Sequence, residues 1–200
     1  MNSNDPRSYS ELLGELESAV AGARSGLGRA VNRAVIELYW SIGRSIVQRE
    51  EFESWEASLV DAVSRDLQVR YPGTTAFATE NVQRMRRFFL AYTRDYVQTA
   101  EAHEMDGVNL PAVLTELPWR HNVLLLEIVQ DPAERLWYAQ TAVEMGWSVE
   151  ALEHEIRQGR YRQSAKIAAA APVPSPDLAR EMMTDPLTAE LVRLSFGQVL

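Results

Sequence analysis

Residues 29–49 carry apolar side chains on two faces at helical spacing, and this pattern restricts the possible folds more than any other feature. One stripe comprises Val31, Val35, Leu38, Ile42 and Ile46, and the second comprises Ile36, Trp40, Gly43 and Val47. A helix that is apolar on two faces needs neighbours on both sides, which places it in the middle of a bundle. No alternating strand pattern persists along the chain. We therefore predict an all-α helical bundle with helix-turn-helix-like units and no substantial sheet.

Capping residues and turn sequences predict where the helices begin. Side chains that accept hydrogen bonds from free backbone N–H groups favour helix starts, and proline is tolerated in the first turn. The predicted starts are Ser8 or Ser10, Ser54 or Trp55, Thr79, Pro118, Asp131-Pro132 and Ser148. The stretch Gly22–Gly28 is either a break or a weak section of one long helix. Residues 99–117 are polar and irregular, and we predict a connection or a mobile flap there.

Composition divides the chain into three parts. Residues 1–162 are predicted to form the helical domain, 163–184 an Ala/Pro-rich linker, and 185–200 the start of a following segment or a tail. The sequence becomes apolar again as it reaches Leu200. We expect the chain to be one domain of something longer.

Cysteine is absent, which excludes disulfides and thiolate metal sites and fits a reducing compartment. No apolar run approaches the roughly 20 residues that a membrane span needs. The N-terminus lacks the basic and apolar regions of a signal peptide. These features predict a cytoplasmic protein without a membrane partner.

The net charge of −8 is unevenly distributed along the chain. Residues 54–98 hold six arginines and five acidic residues, whereas residues 99–160 hold four arginines and eleven acidic residues. A polyanion would therefore meet the least repulsion at 54–98.

Residue patterns for catalysis are weak throughout. The three histidines, His103, His121 and His154, lack the one-turn spacing of a helical zinc site, and surface or capping roles are favoured for them. Glycine-rich phosphate loops are missing, and Lys166 has no acidic residue two positions before it, as a PD-(D/E)xK nuclease core requires. We predict no catalytic residue, no metal and no cofactor in this chain.

Arginines on the third predicted helix are the main candidates for nucleic-acid contact. Arg84, Arg87 and Arg94 are three and seven residues apart and share one face, and Arg86 either joins them or pairs internally. Cationic helix faces that follow a helix and a turn contact phosphates in helix-turn-helix proteins. The alternative is an ordinary solvated face, partly neutralised by Asp95 or by acidic residues of 99–160.

Trp119, Arg120 and His121 form a second candidate for nucleic-acid contact. They combine a flat ring, a forked donor and an imidazole at a helix start, where backbone N–H groups point outward. The alternative places Trp119 in the core, as is favoured for the other tryptophans.

Several motifs resemble the N-terminal domain of YhcG-type proteins. They are Tyr39-Trp40-Ser41-Ile42-Gly43, Tyr71-Pro72-Gly73, Phe77 to Phe89 with Asn81 and Met85-Arg86, Leu117-Pro118-Trp119, Trp137-Tyr138, Gly146-Trp147-Ser148 and Asp185-Pro186-Leu187. The resemblance implies a helical domain that precedes a PD-(D/E)xK nuclease domain, in proteins linked to restriction or phage defence. Arg120-His121-Asn122 stands where the family tends to have Ser-His-His.

Two hypotheses follow from these observations. The first is a non-catalytic DNA-targeting and assembly domain of a nuclease-associated protein. The second is a protein-interaction or homodimerisation domain without nucleic-acid affinity, for which the long helix 29–49 would suit symmetric packing.

Overall fold

The computed structural model describes residues 6–52, 59–97 and 109–164, together with Pro186 and Glu190. Within these ranges it contains the helices α1 Pro6–Phe52, α2 Leu59–Arg70, α3 Thr79–Val97, α4 Ala112–Thr115, α5 Trp119–Ile128, α6 Pro132–Met145, α7 Val149–Arg157 and α8 Arg160–Ser164. The described residues form no strand, so the all-α prediction is confirmed. The predicted linker falls largely outside the described residues, as do Ser54 and Trp55.

Helix α1 is continuous for 47 residues, so the glycine-containing stretch is a weak section and not a break. Gly22 and Gly26 lie in its interior, and an added Cβ would meet no atom within 4 Å at either position. Residues 13–24 are all exposed, whereas α1 enters the bundle from Gly28 onward. The helix thus has a projecting N-terminal half and a packed C-terminal half.

Helices α1 and α3 cross at Gly43, and this crossing sets the centre of the bundle. A Cβ at Gly43 would lie 2.2 Å from the Met85 carbonyl oxygen and 3.1 Å from Phe89 Cβ. Glycine is therefore required here because no side chain fits between the two backbones. The apolar stripe of α1 that contains Gly43 is the one that faces α3.

Aromatic rings fill the space beside this crossing. Trp40 packs edge-on against Phe89 at a centroid distance of 4.8 Å, and Tyr39 packs edge-on against Trp119 at 4.8 Å. Phe88 contacts Trp119 at 5.2 Å. Edge-to-face rings at these distances add to the stabilisation from burial alone. The core therefore joins α1, α3 and the start of α5.

The prediction of an irregular connection or flap is wrong for residues 109–117. They contain α4, and Leu114 and Leu117 are fully buried. The amide Nδ2 of Asn32 donates to the Thr115 and Leu117 carbonyls at 2.9 and 3.0 Å, and Asn122 Nδ2 donates to Leu114 O at 3.1 Å. Two buried amides thus hold this segment in place, because its free carbonyls need donors. Residues 99–108 lie outside the described residues.

The later helix starts agree with the sequence, but the start of α3 differs. Asp131 Oδ1 accepts from Glu134 N at 2.7 Å, and Ser148 Oγ accepts from Ala151 N at 3.3 Å, so both predicted caps are confirmed. Thr79 is already helical, and its hydroxyl donates to Ser64 Oγ at 3.1 Å. It ties α3 to α2 and does not cap its own helix.

Across the described ranges, no helix combines the length and apolar character that crossing a bilayer would require.

Candidate functional surfaces

Arg84 on α3 is held by carboxylates from two helices. Its Nη2 lies 2.7 Å from Glu80 Oε1 on α3 and 3.1 Å from Glu127 Oε1 on α5. Its Nε also donates to Glu127 Oε1 at 3.2 Å. The guanidinium is therefore neutralised by the protein's own carboxylates at the surface and is directed along the α3–α5 boundary. Glu127 belongs to residues 99–160, whose acidic side chains the sequence analysis named as possible partners for this arginine face.

Arg86 points to the opposite side of α3 and is also paired. Its Nε donates to Glu50 Oε2 on α1. Residues two apart on a helix lie about 200° apart around its axis, so Arg84 and Arg86 cannot present one surface. The carboxylates that hold them tie α3 to both α5 and α1.

Arg87 is exposed, whereas Arg84 and Arg86 are half-buried. It forms no ion pair with a described residue and borders two surface depressions. One depression also contains the carboxylates of Glu50, Asp61 and Glu80. Arg94 belongs to α3, but its side chain lies outside the described part of the chain. Among its described side chains, the predicted cationic face thus has one guanidinium without an ion pair, Arg87, and carboxylates surround it. Such a site attracts phosphates poorly.

Trp119 and His121, which the motif analysis predicted to contact nucleic acid, are both buried in the structure. Trp119 is 1% exposed, and its Nε1 donates to Asn81 Oδ1 at 2.8 Å. His121 is fully buried, and its Nε2 donates to the Trp147 carbonyl at 2.9 Å. Of this cluster only Arg120 is exposed, and it forms no ion pair with a described residue.

Asn81 is a structural residue that sequence reasoning did not single out for this role. Its amide donates to Ala76 O at 2.7 Å while its carbonyl accepts from the Trp119 indole. It therefore connects the turn before α3 to the start of α5. The burial of Asn81 is a tertiary feature that the local sequence does not reveal, and a buried amide needs hydrogen-bond partners.

Arg135 is a buried cation that sequence analysis did not single out. Its Nη2 donates to Val129 O at 2.7 Å, and its Nη1 donates to Ala91 O at 3.0 Å. Its guanidinium carbon lies 5.2 Å from the centre of the Tyr92 ring. Burial raises the pKa of the Tyr92 phenol, and the charge of Arg135 opposes part of that rise. The pair locks α6 onto α3 and onto the C-terminal end of α5.

An apolar groove of about 520 Å³ lies between α1 and α2. Its apolar lining residues are Leu38, Ile42, Ile46, Leu59, Val63, Leu67, Tyr71 and Phe77. Ser41, Ser45 and Arg49 supply polar groups at its margin. The groove has the size and character of a site for apolar groups.

Two glutamates of α7 are engaged in ion pairs with arginines. Glu153 pairs with Arg157, and Glu155 Oε2 lies 3.1 Å from Arg160 Nη1. Among the residues with described positions, no three His, Asp or Glu side chains lie close enough to share a metal ion.

Comparison with known proteins identifies the chain's relatives. Residues 15–163 match the model of the DUF1016 N-terminal domain. A protein of Escherichia coli (strain K12) named "Putative nuclease YhcG" is 25% identical over 213 residues, which cover 93% of this chain and 56% of that relative. No solved structure matches the chain.

The resemblance inferred from the motifs is therefore confirmed. The match extends over the bundle from the exposed half of α1 to α8. The chain spans little more than half the length of its curated relative. The chain belongs to the DUF1016 N-terminal domain family.

Proposed function

We propose that this chain is the non-catalytic assembly domain of a nuclease-associated protein. It corresponds to part of a relative that carries a nuclease name, and its own sequence offers no acid-x-Lys pattern around Lys166, its single lysine. The chemistry of the full protein would then reside in a partner domain. The helical domain would determine which chains come together.

The pairing of the α3 arginines is the observation that carries this proposal. Glu127 and Glu50 neutralise Arg84 and Arg86 and hold them on opposite sides of α3. A DNA-binding helix needs several unpaired cations on one face, because phosphate neutralisation supplies most non-specific affinity. The same ion pairs instead strengthen contacts between helices. They argue against a polynucleotide interface at these two arginines, which leaves assembly as the favoured role.

DNA contact is the second candidate function, and it rests on fewer arginines than the sequence predicted. Arg87 and Arg120 are exposed and form no ion pair with described residues, and Arg120 lies in the first turn of α5. Two phosphate contacts would give weak binding with a shallow salt dependence. This candidate therefore predicts an affinity that is measurable only at low salt.

Light scattering and duplex binding on the same preparations distinguish the two functions. The proposal predicts a stable oligomer, and a labelled duplex at low salt should show no change in fluorescence anisotropy. Duplex binding by a monomer that is abolished in Arg87→Glu and Arg120→Glu would overturn it. Arg162→Glu on α8 is the matched control, because it removes an exposed arginine from another helix.

A further inference from the structure

We infer that the projecting half of α1 pairs in antiparallel orientation with the same segment of a second copy of this chain. The inference rests on the proposed assembly function and assigns it a surface, a partner and an orientation.

An apolar stripe runs along this half of α1. It comprises Leu13, Leu16, Val20, Ala23 and Leu27, which are separated alternately by three and four residues. The leucines are 43%, 53% and 64% exposed in chain order, and Val20 is 58% exposed. A mean spacing of 3.5 residues is the pattern by which two helices pack along a common seam. We call these five residues the α1 seam.

The α1 seam is not a continuation of the protein's own core. Leu27 is 64% exposed, while its neighbour Gly28 is buried and begins the face that α1 turns towards the bundle. Adjacent residues lie about 100° apart around a helix. The seam is therefore rotated away from the buried face, and no described residue covers it.

A helix of this composition needs a partner. Residues 13–24 are all exposed, so this segment would have to be helical without packing contacts. Gly14, Gly22 and Gly26 also interrupt it. Isolated helices of this length are marginal in water, and glycine weakens them further. Packing of the seam against another helix supplies the missing stabilisation.

The charges beside the seam favour a second copy in antiparallel orientation. Glu17 and Arg24 flank the seam on the same side, and neither forms an ion pair with a described residue. Two antiparallel copies place Glu17 of each beside Arg24 of the other, and twofold symmetry produces this pair twice. Two parallel copies would instead place the uncharged Ala19 of one copy beside Arg24 of the other.

One register of the antiparallel pair brings the seam residues of the two copies together and also places Glu17 beside Arg24. It sets Leu27 opposite Leu16 of the second copy, and it sets Leu13 opposite Ala30, which is also exposed. In this register the two Leu13 residues lie about 25 Å apart, given a rise of 1.5 Å per residue.

The oligomeric state of the full chain tests the surface. We expect the wild-type chain to be a dimer in sedimentation experiments, and Leu16→Arg with Leu27→Arg to be monomeric at the same concentration. Both positions are exposed, so the thermal transition of the bundle should be retained. Val69→Arg is the matched control, because Val69 is 78% exposed on α2 and the dimer should persist. Arg24→Glu should weaken the dimer, and adding Glu17→Arg should restore it.

Engineered cysteines test the orientation, since the chain has none of its own. We expect a mixture of Leu13→Cys and Ala30→Cys chains to form a disulfide-linked pair on mild oxidation, and Leu13→Cys alone to form none. Cross-linking of Leu13→Cys with itself would overturn the antiparallel arrangement. A dimer that survives Leu16→Arg with Leu27→Arg would overturn the seam but leave the assembly function standing. A wild-type monomer would overturn both.

Discussion

Replacing Gly43 by alanine tests the packing at the centre of the bundle. The new Cβ would lie 2.2 Å from the Met85 carbonyl oxygen, whereas ordinary contacts begin at 3.4 Å. Helices α1 and α3 would therefore have to separate by about 1.2 Å at this point. The obstacle is backbone, so no change of side-chain rotamer can relieve it.

The expected cost follows from two opposing contributions. Overpacking of this kind costs about 1–3 kcal/mol, and the value should lie at the upper end because the separation also loosens the Trp40–Phe89 contact. Alanine returns about 1 kcal/mol through its helix propensity. We expect a net loss of about 2 kcal/mol, or a fall in Tm of about 4–8 °C for a chain of this size.

Urea denaturation followed by far-UV circular dichroism measures this loss. Gly22→Ala is the control, because nothing lies within 4 Å of its added Cβ and helicity should rise. An unfolding midpoint for Gly43→Ala at or above that of the wild type would refute the close crossing of α1 and α3.

Two further predictions concern buried polar groups. Asn81→Ala should lower the free energy of unfolding by about 3 kcal/mol, because it leaves the Trp119 indole N–H and a backbone carbonyl without partners. The exposed Gln83→Ala should change urea stability by less than about 0.5 kcal/mol, and similar losses for both would contradict the assignment. Burial raises the pKa of Tyr92 in the folded state, so above about pH 10 the unfolded chain ionises first and stability falls as pH rises. Tyr92→Phe should make this fall shallower in urea titrations, and an unchanged slope would contradict it.

The helices could be predicted where local signals decide them. Asp131 and Ser148 cap their helices through contacts three residues away, and Gly146 ends α6 at a φ of 61°. The prediction of an irregular connection is wrong for residues 109–117 because their order depends on Asn32, which is 83 residues away from Thr115 in the sequence. A polar stretch held by a distant buried amide has no local signature.

The candidate surfaces could be predicted only in part for the same reason. Helical spacing predicts that Arg84 and Arg87 share a face of α3, but it cannot supply Glu127 or Glu50, which come from other helices. Trp119 and His121 lie in a helix with apolar side chains on several faces, so periodicity does not reveal which face is covered. Tertiary contacts, and not propensity, decide both cases.

The residues that identify the family turn out to be structural, and this changes where function should be sought. Gly43, Asn81 and Trp119 all belong to the motifs that carry the resemblance, and all three hold α1, α3 and α5 together. Similarity at such positions indicates a shared helical bundle. It does not indicate a shared binding specificity. Specificity must then come from surfaces outside these contacts. The α1 seam is such a surface, because its leucines are exposed. Polar residues at the same positions would leave the folded bundle unchanged. An apolar stripe at 3.5-residue spacing outside the core is explained by packing against another helix.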